Sequence, residues 1–155
     1  MPVRFLGFCS ATAIVGMLGC LAGTAHAFGD MTAQEPVEVK VQMGDDRDSL
    51  RFVPENLKFE TGRLYKLVLE NRSHNKHYFS SDGFARAVYT RKVQIRDAQQ
   101  TSIAEVKGVV REIEVYPGQQ VEWWLVPVKA GSFDDLKCTI SGHAEQGMVG
   151  RIIID

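Results

Sequence analysis

Apolar residues recur at every second position through most of the chain, the period of strands with one face in a core and the other in water. Val37, Val39, Val41 and Met43 alternate with Glu38, Lys40 and Gln42, which predicts a half-buried first strand. Asp45 to Asp48 reads as a turn, and Leu50 to Phe52 and Leu57 to Phe59 continue the pattern on either side of Pro54. A proline cannot donate to a sheet ladder, so Pro54 marks an edge or a bulge. Tyr65, Leu67 and Leu69 alternate after the turn at Thr61-Gly62. Val110 to Tyr116 alternates again, Pro117-Gly118 is a turn, and Val121 to Val128 forms a strand carrying Trp123 and Trp124. Neighbouring strand residues face opposite ways, so one tryptophan belongs in the core and the other outside it. Ala130-Gly131-Ser132 turns the chain into a strand ending at Cys138, and Val149 to Ile154 closes the sheet. Seven or so short strands separated by turns predict an all-β, antiparallel sandwich. The stretch from Ser81 to Gly108 departs from the period: Phe84 to Tyr89 suits a helical turn and Lys92 to Arg96 a strand, so this region reads as an insertion of open form.

The first 27 residues follow a different rule. One charge, Arg4, precedes an apolar run from Phe5 to Gly23 and the small-x-small site Ala25-His26-Ala27, the pattern of an export signal cleaved near Ala27. The expectation is a periplasmic protein whose single domain spans 28–155, about 128 residues and ample for one core. Of the 18 Lys and Arg, Arg4 leaves with the signal, so 17 face 19 Asp and Glu. That balance of −2 gives no field for nucleic acid or an acidic membrane surface. There is no Gly-rich phosphate loop, and no later segment is apolar for long enough to span a bilayer. Cys9 and Cys20 also leave with the signal, so Cys138 is the single cysteine of the exported domain. It has no internal disulfide partner, which leaves intermolecular pairing, a reactive or metal-bound sulfur, or an inert buried thiol.

Spacing separates these readings. The run Cys138-x4-His143-x4-Met148 delivers a thiolate, an imidazole and a thioether from one short loop, and a blue-copper centre takes one Cys and two His in a plane with a weak axial Met. Alone, Met148 would be core filler and His143 a surface residue. A second histidine is required, and the segment Asn71-Arg-Ser-His74-Asn-Lys-His77-Tyr-Phe79 offers two where an apolar strand enters a polar turn. Thr139 and Gly142 suit a tight loop whose backbone amides approach the sulfur, and donors of that kind tune a bound metal.

Asn71-x5-His77-x-Phe79 followed downstream by Cys138-x4-His143-x4-Met148, with Phe52-x-Pro54-x-x-Leu57-x-Phe59 and Tyr65-x-Leu67-x-Leu69-x-Asn71 before it, resembles the cupredoxin family of small blue copper proteins, especially its bacterial plastocyanin-like and azurin-like members. The resemblance covers most of the chain after residue 36 and implies a Greek-key β-sandwich holding one mononuclear type 1 copper. It implies His77, Cys138, His143 and Met148 as ligands, since Phe79 gives His77 the inward aromatic of the family pattern and His74 has none. Asn71 would supply a hydrogen bond in the ligand turn. Tyr78 departs from the pattern, where many members carry Asn or Asp that ties the two ligand loops together.

The function so implied is one-electron exchange with redox protein partners through the edge of His143. A copper-handling protein is the alternative, but such carriers expose Met-rich or His-rich tracts, and the exported domain has only Met31, Met43 and Met148 with three histidines. An enzyme is not expected, because one domain with one ligand set leaves no substrate site on the metal, and a binuclear centre would need a second cysteine. Arg72, Lys76, Arg86, Arg91, Lys92 and Arg96 form either a solvated surface or a basic face for an acidic partner.

Overall fold

A computed structural model describes Met1, residues 33–97 and residues 99–155. The expected export segment beyond Met1, with Cys9 and Cys20, and also Met31, lie outside the described residues. Among the described residues the strands are β1 (Val37–Met43), β2 (Phe52–Val53), β3 (Asn56–Phe59), β4 (Tyr65–Asn71), β5 (His77–Ser80), β6 (Val88–Arg96), β7 (Ser102–Val106), β8 (Glu112–Val115), β9 (Gln120–Pro127), β10 (Gly131–Lys137) and β11 (Val149–Ile154), with one helix, α1 (Asp82–Ala87). Six strands form a sheet in the order β2-β1-β4-β9-β6-β7 and five form a second in the order β3-β11-β10-β5-β8. Among the described residues no helix is long and apolar enough to cross a membrane.

The apolar alternation locates the strands but not their pairing. β1 lies parallel to β4 and β11 parallel to β3, so the sandwich is mixed where an antiparallel one was expected. The cause is the crossing at Pro54. The chain leaves the edge of the six-stranded sheet at β2, enters the edge of the other at β3, and returns at β4. Successive strands in different sheets cannot form hairpins, and β1 and β4 then meet running the same way. Pro54 sits between two edge strands, where its missing donor costs nothing.

Residues 81–108 become part of the sandwich. Ser81 caps α1, its hydroxyl accepting from the Phe84 amide, and Asp135 holds this end by accepting from Ser81 Oγ and, at 2.7 Å, from the Gly83 amide. The carboxylate reaches α1 because β10 shifts register between Phe133 and Leu136, at a bulge that turns Asp134 and Asp135 outward. β6 then enters the six-stranded sheet between β9 and β7, with Val93 buried. Propensity left this region open because α1 is only a turn and a half long and β7 is exposed at every position.

Between the sheets runs a chain of aromatic rings. Phe52 meets Phe79 edge-on at 5.8 Å, Phe79 meets Trp123 at 6.4 Å, Trp123 meets Phe84 at 5.5 Å, and Phe84 leads through Phe59 to Tyr65. Edge-to-face pairs of this kind each contribute about 0.5–1.5 kcal/mol beyond the area they bury. Trp123 is the inward member of its pair. Trp124 lies half-buried on the outer face, with the Lys92 and Lys66 ammonium groups 5.2 and 5.9 Å from its ring.

β3 and β11 approach closely at Gly150, where an added Cβ would stand 2.5 Å from the Glu55 carbonyl and 2.8 Å from Leu136 Cδ2. Backbone on one side and core on the other leave no room to yield. Gly150→Ala is expected to destabilise the protein by about 1–3 kcal/mol through overpacking, read as a lowered urea midpoint. An unchanged midpoint would mean that the two strands separate at no cost.

Candidate metal centre

Three donor side chains meet at one end of the sandwich. One ligand atom each from His77, Cys138 and His143 lie within 4.8 Å of one another. They come from two segments that the five-stranded sheet sets side by side, because β5 pairs with β10 through Ser80 and Lys137.

The first segment joins β4 to β5. Asn71 ends β4 fully buried, and its Nδ2 donates to the carbonyls of Asn75 at 2.7 Å and Val115 at 2.8 Å. Its Oδ1 accepts from the Ser73 amide and hydroxyl, both at 2.9 Å. The side chain therefore shapes the turn and ties it to β8. His77 opens β5 on the same inward face as Phe79 and is wholly buried. Its Nε2 lies 2.8 Å from Ser73 Oγ, while its Nδ1 is buried with no hydrogen-bond partner. His74 goes elsewhere: it is exposed, with its amide and Nδ1 bonded to the Asp48 carboxylate at 2.9 and 3.3 Å, outside the cluster.

The second segment is the loop from β10 to β11. The Cys138 amide donates to the Met148 carbonyl at 3.0 Å and the Met148 amide to the His143 carbonyl at 2.9 Å, so the loop closes on its own backbone. Gly142 and Gly147 take φ of +83° and +105°, values that other residues adopt only under strain. Cys138 is buried and free of any disulfide, His143 is half-buried, and Met148 is wholly buried beneath the loop. Cys138 Sγ lies 3.4 Å from His143 Nδ1, and the two imidazole rings stand 5.2 Å apart at 56°.

The amide that reaches the sulfur is not one from the Thr139–Gly142 stretch. It is that of Tyr78, whose N–H lies 3.4 Å from Cys138 Sγ and so joins the two segments. The Tyr78 hydroxyl donates to Glu114 Oε1 at 2.8 Å, and Thr139 Oγ1 donates to Glu112 Oε2 at 2.7 Å. The residue after each of His77 and Cys138 is thus fastened to one strand, β8, in place of a direct side-chain tie between the loops. Lys76 and the Tyr78 hydroxyl hold the Glu114 carboxyl below the usual glutamate range. Ser73 and Gly44 also escaped the motif reading. A Cβ on Gly44 would meet Ser73 Cβ at 2.8 Å and His77 Nε2 at 3.0 Å, so a side chain there would push the histidine out of place. Ser73 carried a signal, standing four residues before a buried histidine in an Asn-rich turn.

The donor set fits copper. A thiol and two imidazoles with ligand atoms within 4.8 Å of one another, one imidazole offering a buried nitrogen that none of the described residues satisfies, can hold one copper ion. A buried polar atom without a partner is rare enough to call for an explanation, and a coordinating lone pair supplies it.

No protein-family model matches the chain, and no curated protein sequence matches it. Solved structures do. Auracyanin A, a "blue" copper protein from Chloroflexus aurantiacus, is 15% identical with a TM-score of 0.50, over 78% of this chain and 100% of that one. The copper-containing nitrite reductase of Thermus scotoductus SA-01 is 15% identical with a TM-score of 0.59, over 80% of this chain. The multicopper oxidase of Campylobacter jejuni is 17% identical with a TM-score of 0.52, over 79% of this chain. The chain spans 32% of that reductase and 31% of that oxidase. These likenesses establish the fold: a cupredoxin-like β-sandwich.

Burial holds the His77 pKa below the ordinary histidine value of 6.5, and the neighbouring His143 lowers it further. The folded protein thus keeps His77 neutral where the unfolded chain begins to bind a proton, so stability rises with pH across that window. The metal-free protein is expected to be most stable above about pH 6.5 and to lose stability as pH falls below it. Urea midpoints measured across this range should show the slope, and His77→Gln should flatten it; an equal slope in both proteins would refute the assignment.

Proposed function

We propose that the protein is an exported one-electron carrier holding a single type 1 copper, with His77, Cys138 and His143 as the strong ligands and Met148 as the weak axial one. The observation that carries this reading is the meeting of one ligand atom each from His77, Cys138 and His143 within 4.8 Å, together with the buried, partnerless Nδ1 of His77. Copper in a His2Cys set with a weak thioether supplies exchange of one electron at a potential tuned by the axial ligand and by hydrogen bonds at the sulfur. The chain's residues suit that role. The Tyr78 amide directs a donor at Cys138 Sγ and stabilises the thiolate. His77 is locked by Ser73, and the loop of His143 by its own backbone, so little moves when the charge changes. His143 is half-buried and offers its edge to a redox partner, while His77, Cys138 and Met148 are sealed from solvent.

That sealing also argues against an enzyme, since a substrate would have no open way to the metal. It argues against a copper-delivery protein too: Met43 and Met148 are both fully buried, so neither forms a surface tract to pass on an ion. The basic residues weighed as a docking face are mostly neutralised. Arg72, Lys76, Arg86, Lys92 and Arg96 each pair with a carboxylate, which favours a solvated surface and leaves recognition to the His143 end. A lone free cysteine bound to metal is compatible with export to the periplasm, where an unprotected thiol would oxidise.

The copper(II) protein is expected to show an intense thiolate-to-copper absorption band in the visible, lost entirely in Cys138→Ser. His77→Ala should abolish the band and His74→Ala should leave it intact; the opposite pair of results would move the ligand to His74. Met148→Leu should keep the colour and raise the reduction potential, because losing a donor destabilises copper(II) more than copper(I). An unchanged potential would remove Met148 from the ligand set. Prompt loss of copper(I) from the reduced protein to a metal-free copper acceptor would favour the copper-handling alternative instead.

A further inference from the structure

Hydrogen-bond bookkeeping around Ser73 decides where the proton on His77 sits. Both Nδ2 hydrogens of Asn71 are taken by backbone carbonyls, those of Asn75 and Val115, so its Oδ1 end faces Ser73, and the Ser73 amide donating to that oxygen confirms the orientation. The Ser73 hydroxyl has one hydrogen and two lone pairs. It stands 2.9 Å from Asn71 Oδ1 and 2.8 Å from the Asn75 carbonyl, neither of which can donate, and it accepts from the Asn75 amide at 3.2 Å. Given to either oxygen, its hydrogen leaves one close oxygen–oxygen contact without a proton; given to Nε2 it would leave two, so the bond to oxygen is favoured. What it turns toward His77 Nε2, at 2.8 Å, is therefore a lone pair, and Nε2 must carry the hydrogen.

We infer that Asn71 and Ser73 form a positioning relay, anchored on the Val115 carbonyl, that fixes His77 as the Nε2–H tautomer in the metal-free protein and so presents a bare Nδ1 toward Cys138 and His143. The opposite tautomer would draw the Ser73 hydrogen to Nε2, leaving Oγ against both Asn71 Oδ1 and the Asn75 carbonyl with no proton between them, and would place a proton on Nδ1. Both Ser73 and His77 are buried, and Gly44 packs so tightly over them that a Cβ there would reach 3.0 Å from Nε2, so the bond has no competitor on that side. Partners of this kind, behind the atoms that hold a metal, orient the ligand and select its tautomer. The inference rests on the copper reading only for the purpose of the lone pair; the tautomer itself follows from the protein's own donors and acceptors.

The test uses the metal-free, nitrogen-15-labelled protein and long-range proton–nitrogen correlation spectra of its histidines. Wild-type His77 should show a protonated, pyrrole-type Nε2 and an unprotonated, pyridine-type Nδ1. Ser73→Ala should show a mixture of tautomers and bind zinc(II), a redox-silent probe of the same donors, about ten- to a hundredfold more weakly. A wild-type His77 protonated at Nδ1 would overturn the relay without recourse to any variant. So would a Ser73→Ala protein with the wild-type tautomer and zinc affinity. A wild-type protein with the expected tautomer that takes up neither zinc nor copper would sink the functional reading and leave the relay standing.

Discussion

The centre depends on the pairing of β5 with β10. That contact, made through Ser80 and Lys137, sets side by side two chain segments that are sixty residues apart at the Tyr78 amide and Cys138 Sγ. Without it the thiol would have one imidazole, from its own loop, and no second. The pairing is held from behind by the packed aromatic core, in which Phe79 of β5 lies against Phe52 and Trp123. Because His77 and Phe79 share a face of one strand, the force that buries the phenyl ring also carries the imidazole inward.

Burial of this kind has an electrostatic cost that the protein offsets selectively. The polar atoms of Asn71 and Ser73 find partners in the turn and on β8, as buried polar groups must. His77 Nδ1 is the exception. The network satisfies its neighbours and leaves this one nitrogen bare. Rigidity has the same origin, since the network that orients the imidazole also prevents it from relaxing. Farther out, β8 serves as a common anchor, with Glu112 and Glu114 receiving the hydroxyls that follow Cys138 and His77. Tyr78, which departs from the family pattern, thus keeps its segment fixed by a different partner.

Much of this was readable from residue order. Strand positions followed from period-two alternation, the edge at Pro54 from its missing donor, and the opposite facing of Trp123 and Trp124 from the pleat. The Cys138–His143–Met148 loop was legible because its donors are close in sequence and its glycines mark where the chain must turn. The choice of His77 over His74 came from a family resemblance, although Phe79 two residues on already held the physical reason.

What the chain determined alone was therefore local: which segments are strands, which loop gathers sulfur and imidazole, and which turn supplies the other histidine. Only the tertiary structure decided that β1 and β4 run parallel, that β6 and β7 enter the sheet, that the amide on the sulfur is Tyr78's, and that the Ser73 hydroxyl stands against His77 Nε2. The division has a physical cause. Side-chain period and turn chemistry act over a few residues and are written in order along the chain, whereas strand partners and hydrogen-bond polarity are settled by which distant groups the packing of the core brings within 3 Å of one another, roughly the length of a hydrogen bond.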